Sequence, residues 1–344
     1  MTQSMPALAV DAMGGDRAPE ALVDGSLQAL LHDSELRLVL VGERARLEGL
    51  VSASGGAPSS RLSVADSDGV IAMDAHPVQA VRAQPRASVN VAVDLVAKGQ
   101  ADACFSAGNS GATMAAALLR LHRLPGVARP AIATPLPTRS GTTMLVDSGA
   151  QVECRPEWLA QFSTMGSAYV SAVLGVNRPR VGLLSNGEES SKGNSLVQAA
   201  HGLISQLGLN YVGPVEGRDL LSGEVDVVVC DGFVGNVALK TAEGVAEAIM
   251  AGLRQEAQAD LRARLGAVLL LPGLRRLRAR LDWRQVGGAP LLGVRGLVFI
   301  GHGRSDAAAV ASAVGVAAAA VRAGAAQALE AGIARQPQAE LVEG

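Results

Sequence analysis

The sequence predicts an α/β protein with three layers, a mostly parallel sheet between two layers of helices. Three observations point there. Short aliphatic runs recur along the chain and most are apolar at consecutive positions, the pattern of strands covered on both faces. Amphipathic segments separate many of them, which is the rhythm of βαβ units. Most runs also end abruptly in loops of glycine and small polar residues.

Taken in order, ALAVD (7–11) ends in DAMGGD (11–16) and leads to the helical pattern PEALVDGSLQALL (19–31). LRLVLV (36–41) follows, and VSASGGAPSS (51–60) has the composition of a surface loop. The amphipathic SVNVAVDLVAKG (88–99) feeds ADACFS (101–106), which runs into SAGNSGA (106–112). TMLVD (143–147) ends in DSGA (147–150), and PEWLAQFSTMGSAYVSAVLG (156–175) is the next helix. RVGLL (180–184) opens into SNGEESSKGN (185–194), VDVVVC (225–230) into DGFVGN (231–236), and GLVFI (296–300) into GHGRS (301–305). The alanine-rich tail after Asp306 reads as one long closing helix. No fixed repeat or long linker interrupts the chain, so residues 1–344 read as one α/β domain, with a helical projection at about 240–284.

Composition narrows the function classes. Of 344 residues, 49% are hydrophobic and 18% charged, enough for a sizeable core. Aromatics are 2% and the formal net charge is -2, which argues against nucleic acid as a partner. Cys104, Cys154 and Cys230 are odd in number, far apart, and within or beside apolar runs, so they read as reduced core thiols. The first ten residues lack a basic region and carry only a short apolar run, so a cytoplasmic location is expected. No run reaches the ~20 apolar residues that cross a bilayer.

In an open parallel sheet the six glycine-bearing loops gather at the carboxyl ends of the strands, where ligands bind. Glycine lets the main chain approach a ligand, and the free amides of a helix N-terminus suit an anion. Each loop alone is ordinary turn chemistry; six together, carrying Asp, Asn, Lys and His, indicate a shared site. Several sharper motifs fail. Lys192 is followed by Gly193 and Asn194, not by the end of a P-loop, and GHGRSD has two of the three glycines of a dinucleotide fingerprint. Cys104 stands where a nucleophile elbow needs its first glycine. The histidines form no metal motif, so no metal and no cofactor are expected.

What remains is an anion site built from backbone amides and one cation. Lys192 supplies a compact charge, while Asn109, Asn194 and Asn236 supply neutral donors. The alternative for Lys192 is a weak surface pair with Glu188 or Glu189. His302, between Gly301 and Gly303, is either a general acid–base near neutral pH or a turn residue.

The blocks AVDAMGGDRAPEA (9–21), SAGNSGA (106–112), RPAIAT (129–134), VGLLSNGEESSKGN (181–194), VEGRDLLSGEVDVVVCDGFVGNVALKTAEG (215–244) and GGAPLLGVRGLVFIGHGRS (287–305) resemble, in order, those of the bacterial phosphate acyltransferase family, PlsX-type. The resemblance implies transfer of a fatty acyl group from acyl-[acyl carrier protein] to inorganic phosphate. The acyl phosphate formed would feed the membrane-bound glycerol-3-phosphate acyltransferase of phospholipid synthesis. It also implies a homodimer, and a fold similar to phosphate acetyltransferases and the isocitrate and isopropylmalate dehydrogenase group. Ser148, Gln151, Asn186 and Pro214 depart from the family pattern, so Gln151 and Asn186 receive no role by analogy.

In such a reaction phosphate is itself the nucleophile, and positioning with electrostatic stabilisation suffices. The expected catalytic residues are Lys192, Asn236 and His302. The expected phosphate and substrate site comprises Asp11, Gly14, Gly15, Asp16, Gly108, Asn109, Ser110, Gly193, Asn194, Asp231, Gly232 and Gly235. The three aspartates are expected to orient donors, since a carboxylate facing phosphate would repel it.

Residues 236 to 283 read as a long helix, then the greasy LGAVLLLPGL (265–274), then RRLRARLDW (275–283). The short apolar tip, with Val268, Leu269, Leu270 and Leu271 beside Arg262, Arg264, Arg275, Arg276 and Arg278, suits an anionic membrane surface, an acidic carrier protein, or burial in a dimer. Two other readings stay open: a phosphate acetyl- or butyryltransferase acting on acyl-CoA, and an idle scaffold.

Overall fold

The computed structural model describes residues 5–56, 60–259, 261–281 and 287–335. The first half of the chain supplies β1 (Ala7–Asp11), α1 (Glu20–His32), β2 (Arg37–Gly42), α2 (Arg44–Ala53), β3 (Leu62–Asp66), α3 (Pro77–Ala83), α4 (Ser88–Ala97), β4 (Ala103–Ser106), α5 (Ser110–Arg120), β5 (Ala131–Pro137), β6 (Thr142–Val146) and α6 (Pro156–Val173). The second supplies β7 (Arg180–Leu184), α7 (Ser195–Ile204), β8 (Asn210–Val215), β9 (Val227–Val229), α8 (Gly232–Glu256), α9 (Leu261–Leu281), β10 (Ala289–Leu292), β11 (Leu297–Ile300), α10 (Ala307–Arg322) and α11 (Ala325–Ala334).

All eleven strands join one sheet in the order β3-β2-β1-β4-β11-β10-β5-β6-β9-β7-β8. Alternate residues of the central strands enter opposite layers. Leu8 and Val10 face α1 and α10, while Ala9 faces α4 and α5. That double burial is what the consecutive apolar runs encode.

The sheet is mixed, because β10 pairs antiparallel with both β11 and β5, and β5 antiparallel with β6. The two parallel blocks, β3-β2-β1-β4-β11 and β6-β9-β7-β8, therefore run in opposite directions. The register shows where they end. Ser106 and Ile300 align with Ala289 at the last residues of β4 and β11, and Val146 aligns with Ala133 and Val229 about one residue away in height. The carboxyl ends of both blocks thus meet head to head at a seam, instead of lining one edge as a uniformly parallel sheet would arrange them.

Four strands lie outside the predicted runs, and each carries a weak signal. β3 and β8 are sheet edges with partly exposed residues, β5 contains two prolines, and β10 has four residues. The tail is two helices and not one, broken where Gly324 adopts a φ of 67°. The greasy segment is also displaced from its expected place. LGAVLLLPGL lies inside α9, with Pro272 in the helix, and Leu265 and Val268 to Leu271 are exposed. Among the described residues no single helix is long and apolar enough to cross a membrane.

Candidate active site

The loops after β1, β4 and β11 touch one another. The Asp16 amide donates to the Gly303 carbonyl at 2.8 Å. A side chain at Gly14 would lie 2.6 Å from Asp11 Oδ2 and 2.9 Å from the Gly108 nitrogen, so this crossing admits only glycine. Asp11 is buried and accepts from the Ser106 hydroxyl at 2.6 Å. Burial pushes its carboxyl up, and the Ser106 hydrogen bond and the Met13 amide offset part of that push. Asp11 is a fixed strut between the ends of β1 and β4.

Across the seam, the loop after β6 is organised by Asp147, a residue that motif reasoning passed over. Its carboxylate accepts from the amides of Ile132, Gly149, Ala150 and Gln151 at 2.7–3.1 Å. Burial nevertheless dominates and pushes it up to about 6. The next strand end presents Asp231, whose side chain caps α8 by accepting from the Val234 amide at 2.8 Å. Gly232 and Gly235 lie against the Asp147 loop, and a side chain at Gly235 would overlap the Asp147 carbonyl. These glycines bring the first turn of α8 to the seam.

Between the two groups of loops lies a cavity of about 1140 Å³. Gly108 and Ser110 line it from the first block, Asn236 and Ser148 from the second, and His302 from the loop after β11. Apolar walls come from Phe105, Ile132, Leu136, Leu221, Leu239 and Met250. At the start of α5, Asn109 caps the Ala112 amide at 3.0 Å, and among the described residues the Ser110 and Gly111 amides have no internal partner. Such a helix start suits an oxyanion.

Two expected donors are already committed, and a third expected residue uses its side-chain oxygen to cap a helix. The Asn109 side-chain amide donates to the carbonyls of Ala72, Met73 and Ala75, so it holds a neighbouring loop and not a ligand. The Gly193 amide donates to Asn186 Oδ1 at 2.8 Å, because the 185–194 loop must satisfy itself where it turns into α7. Asn186, given no role by analogy, therefore closes that loop. Asn194 caps α7 by accepting from the Val197 amide at 2.9 Å. Lys192 is exposed on the same loop, after β7, and is not part of the cavity lining. Nor does it pair as a surface alternative would have it: Glu188 bonds Arg218 at 2.8 Å, and Lys192 has no ion pair among the described residues.

Cys104 and Cys230 are buried and Cys154 half-buried. Burial pushes all three thiols up, Cys154 to about 12, so none offers a thiolate at neutral pH. On the helical projection, Arg262 and Arg264 are exposed, while the side chains of Arg275, Arg276 and Arg278 lie outside the described residues.

The family model described as fatty acid synthesis protein matches residues 7–328. A phosphate acyltransferase of Syntrophotalea carbinolica is 48% identical over 307 residues, covering 89% of this chain and 88% of that one. The chain belongs to the phosphate acyltransferase family. A second relative of the same description, from Alkalilimnicola ehrlichii, is 48% identical over 94% of both chains. Phosphate acyltransferases of this family are acyltransferase enzymes, and this chain is one of them. Among solved structures, a phosphotransacetylase from Streptococcus pyogenes is similar with a TM-score of 0.65 at 17% identity, over 93% of this chain and 95% of that one. A branched-chain phosphotransacylase from Enterococcus faecalis is similar with a TM-score of 0.55 at 15% identity, over 92% and 99%. At those identities the likeness shows the fold, the one that the sequence blocks implied.

Proposed function

We propose that this phosphate acyltransferase moves a fatty acyl group from the thioester of acyl-[acyl carrier protein] to inorganic phosphate, and that the acyl phosphate enters phospholipid (phosphatidic acid) synthesis. One observation carries the reading: a large, mainly apolar cavity opens at the seam beside helix-start amides that have no internal partner among the described residues, and the protein's three cysteines offer no thiolate there. Phosphate, held at Ser110 and Gly111, attacks the thioester carbonyl. Asn236 stabilises the tetrahedral oxyanion, His302 attends the departing sulfur, and Lys192 neutralises the dianion as the 185–194 loop meets the substrate. The apolar walls receive the acyl chain, whose burial is worth about 0.8 kcal/mol per methylene.

The test is phosphate-dependent formation of acyl phosphate, trapped with hydroxylamine, from long-chain acyl carrier protein. Asn236→Ala and Lys192→Ala are each expected to lower turnover at least a hundredfold, in line with the loss of one oxyanion donor. Activity within a few-fold of the parent would remove the residue concerned from the site. Preference for short acyl-CoA over the long-chain carrier substrate would favour an acetyl- or butyryltransferase.

We further propose a homodimer, and peripheral contact of α9 with an anionic membrane near the membrane-bound glycerol-3-phosphate acyltransferase. Support comes from the exposed run Val268 to Leu271 with exposed Arg262 and Arg264 one to two turns away.

A further inference from the structure

Helix α8 starts at the seam and continues across the mouth of the loop after β11. Its cavity face places Lys240 and Glu243 against His302. Glu243 Oε1 lies 3.4 Å and Lys240 Nζ 3.3 Å from His302 Nε2, and Lys240 Nζ lies 2.9 Å from Glu243 Oε2. One turn on, Glu247 pairs with Arg304 at 3.1 Å. The Glu243 side chain is only 14% exposed although it sits on a largely exposed helix, and it faces two nitrogen groups. Burial works upward on its carboxyl, but the hydrogen bonds from His302 and Lys240 together prevail and hold it at about 2. An ionised carboxylate is thus fixed beside the imidazole that lines the cavity. Lys240 alone would oppose a second positive charge at this place; Glu243 offsets it.

We propose that Glu243 is a positioning residue for His302, holding the ring in the cavity while a proton passes between the attacking phosphate and the leaving sulfur. The inference rests on the phosphate acyl transfer proposed above. The step balances without another reactant. The phosphate hydroxyl gives its proton to the imidazole as the new C–O bond forms. The tetrahedral intermediate then collapses, the C–S bond breaks with its electron pair on sulfur, and the imidazolium returns the proton to give the free thiol. The carboxylate stays ionised throughout and acts through charge and orientation.

The experiment compares leaving groups. Glu243→Gln and His302→Asn would be assayed in the full-length protein with an alkyl thioester, acyl-pantetheine, and an aryl thioester whose thiolate leaves without a proton. Turnover on acyl-pantetheine should fall about a hundredfold in each variant, the scale of one general acid–base contribution. With the aryl thioester the loss should be at least tenfold smaller than with acyl-pantetheine, because the departing thiolate then needs no proton and only the base step still uses the ring, and the double variant should be no worse than His302→Asn alone, because the two residues act as a unit. Equal losses on both thioesters, or losses that multiply in the double variant, would overturn the proposal and leave Glu243 a structural ion pair. If the parent enzyme, assayed alongside with long-chain acyl-[acyl carrier protein], forms no acyl phosphate, the underlying reading of the function fails instead.

Discussion

Asp147 shows how a single buried carboxylate can organise a loop beside a cavity that it does not itself line. Four backbone amides converge on it, and through them it fixes the floor against which Gly232 and Gly235 pack. Its pKa of about 6 exceeds the ordinary carboxylate value of 3.8, so the folded protein binds a proton there more tightly than the unfolded chain does. By linkage, its contribution to stability grows as the pH falls from above 6 towards 3.8 and is lost as the pH rises through 6. The melting temperature of the parent should therefore rise relative to that of Asp147→Asn between pH 7 and pH 5. A difference between the two proteins that did not change over this interval would show that Asp147 does not titrate there. Other residues expected at the site show how a side-chain oxygen can be committed locally. Asn109, Asn194 and Asp231 look like ligand contacts in the sequence, yet each spends its side chain on the first turn of the helix that follows. Short polar residues before a helix cap it, and capping is worth about 1 kcal/mol, so this use competes with any catalytic one.

At the scale of elements, helix packing depends on close approach as much as on apolar content. In the layer beneath β1, α1 meets α10 at Gly25, where a side chain would lie 2.5 Å from the Ala307 carbonyl and 2.6 Å from Val310 Cβ. Gly25→Val should destabilise the protein by about 1–3 kcal/mol through overpacking, measured by denaturant unfolding. Unchanged stability would mean that the two helices can separate freely. Helix α8 is built differently. Only Gly232 and Gly235 are buried along its 25 residues, and one of its faces lines the cavity. Away from that face it exposes Phe233, Val237, Val245, Ile249 and Leu253. It is held at its base by the Asp147 loop and further along by the pairs to His302 and Arg304, so its position is set by polar contacts more than by burial. The Glu247–Arg304 pair is exposed and contributes little to stability, whereas the Glu243 carboxylate is largely covered where it meets His302.

At the scale of the molecule, the antiparallel link through β10 and β5 decides where the strand-end loops converge. It turns the two parallel blocks to face each other, and each donates strand-end loops to one cavity. The amide-bearing start of α5 and His302 come from one block; Asn236 and Glu243 come from the other. The exposed apolar run of α9 stands apart from this cavity lining. Replacing Val268, Leu269, Leu270 and Leu271 with serine should abolish sedimentation with anionic liposomes while acyl transfer from soluble carrier protein continues. Sedimentation equal to that of the parent would rule out membrane contact through this run.

Much of this architecture is legible in the sequence. The strands covered on both faces announce themselves as consecutive apolar residues, because burial on two sides leaves no place for a polar one. The loops that end them carry the glycines that close approach demands, which is why the Gly14, Gly108, Gly232 and Gly235 clusters stand out. Edge strands and the four-residue β10 do not stand out, since partial exposure and antiparallel pairing impose no strong pattern. Which polar side chains remain available to a ligand was decided only in three dimensions. A hydrogen-bond donor is spent or spare according to what lies opposite it, and that neighbour is set by the fold. Thus Lys192 proved to lie outside the cavity lining, Asn109 to be committed, and Glu243, anonymous in the chain, to sit beside His302. Periodicity and loop chemistry are local properties and were determined by the sequence; the pairing of Glu243 with a histidine 59 residues away belongs to the tertiary structure alone.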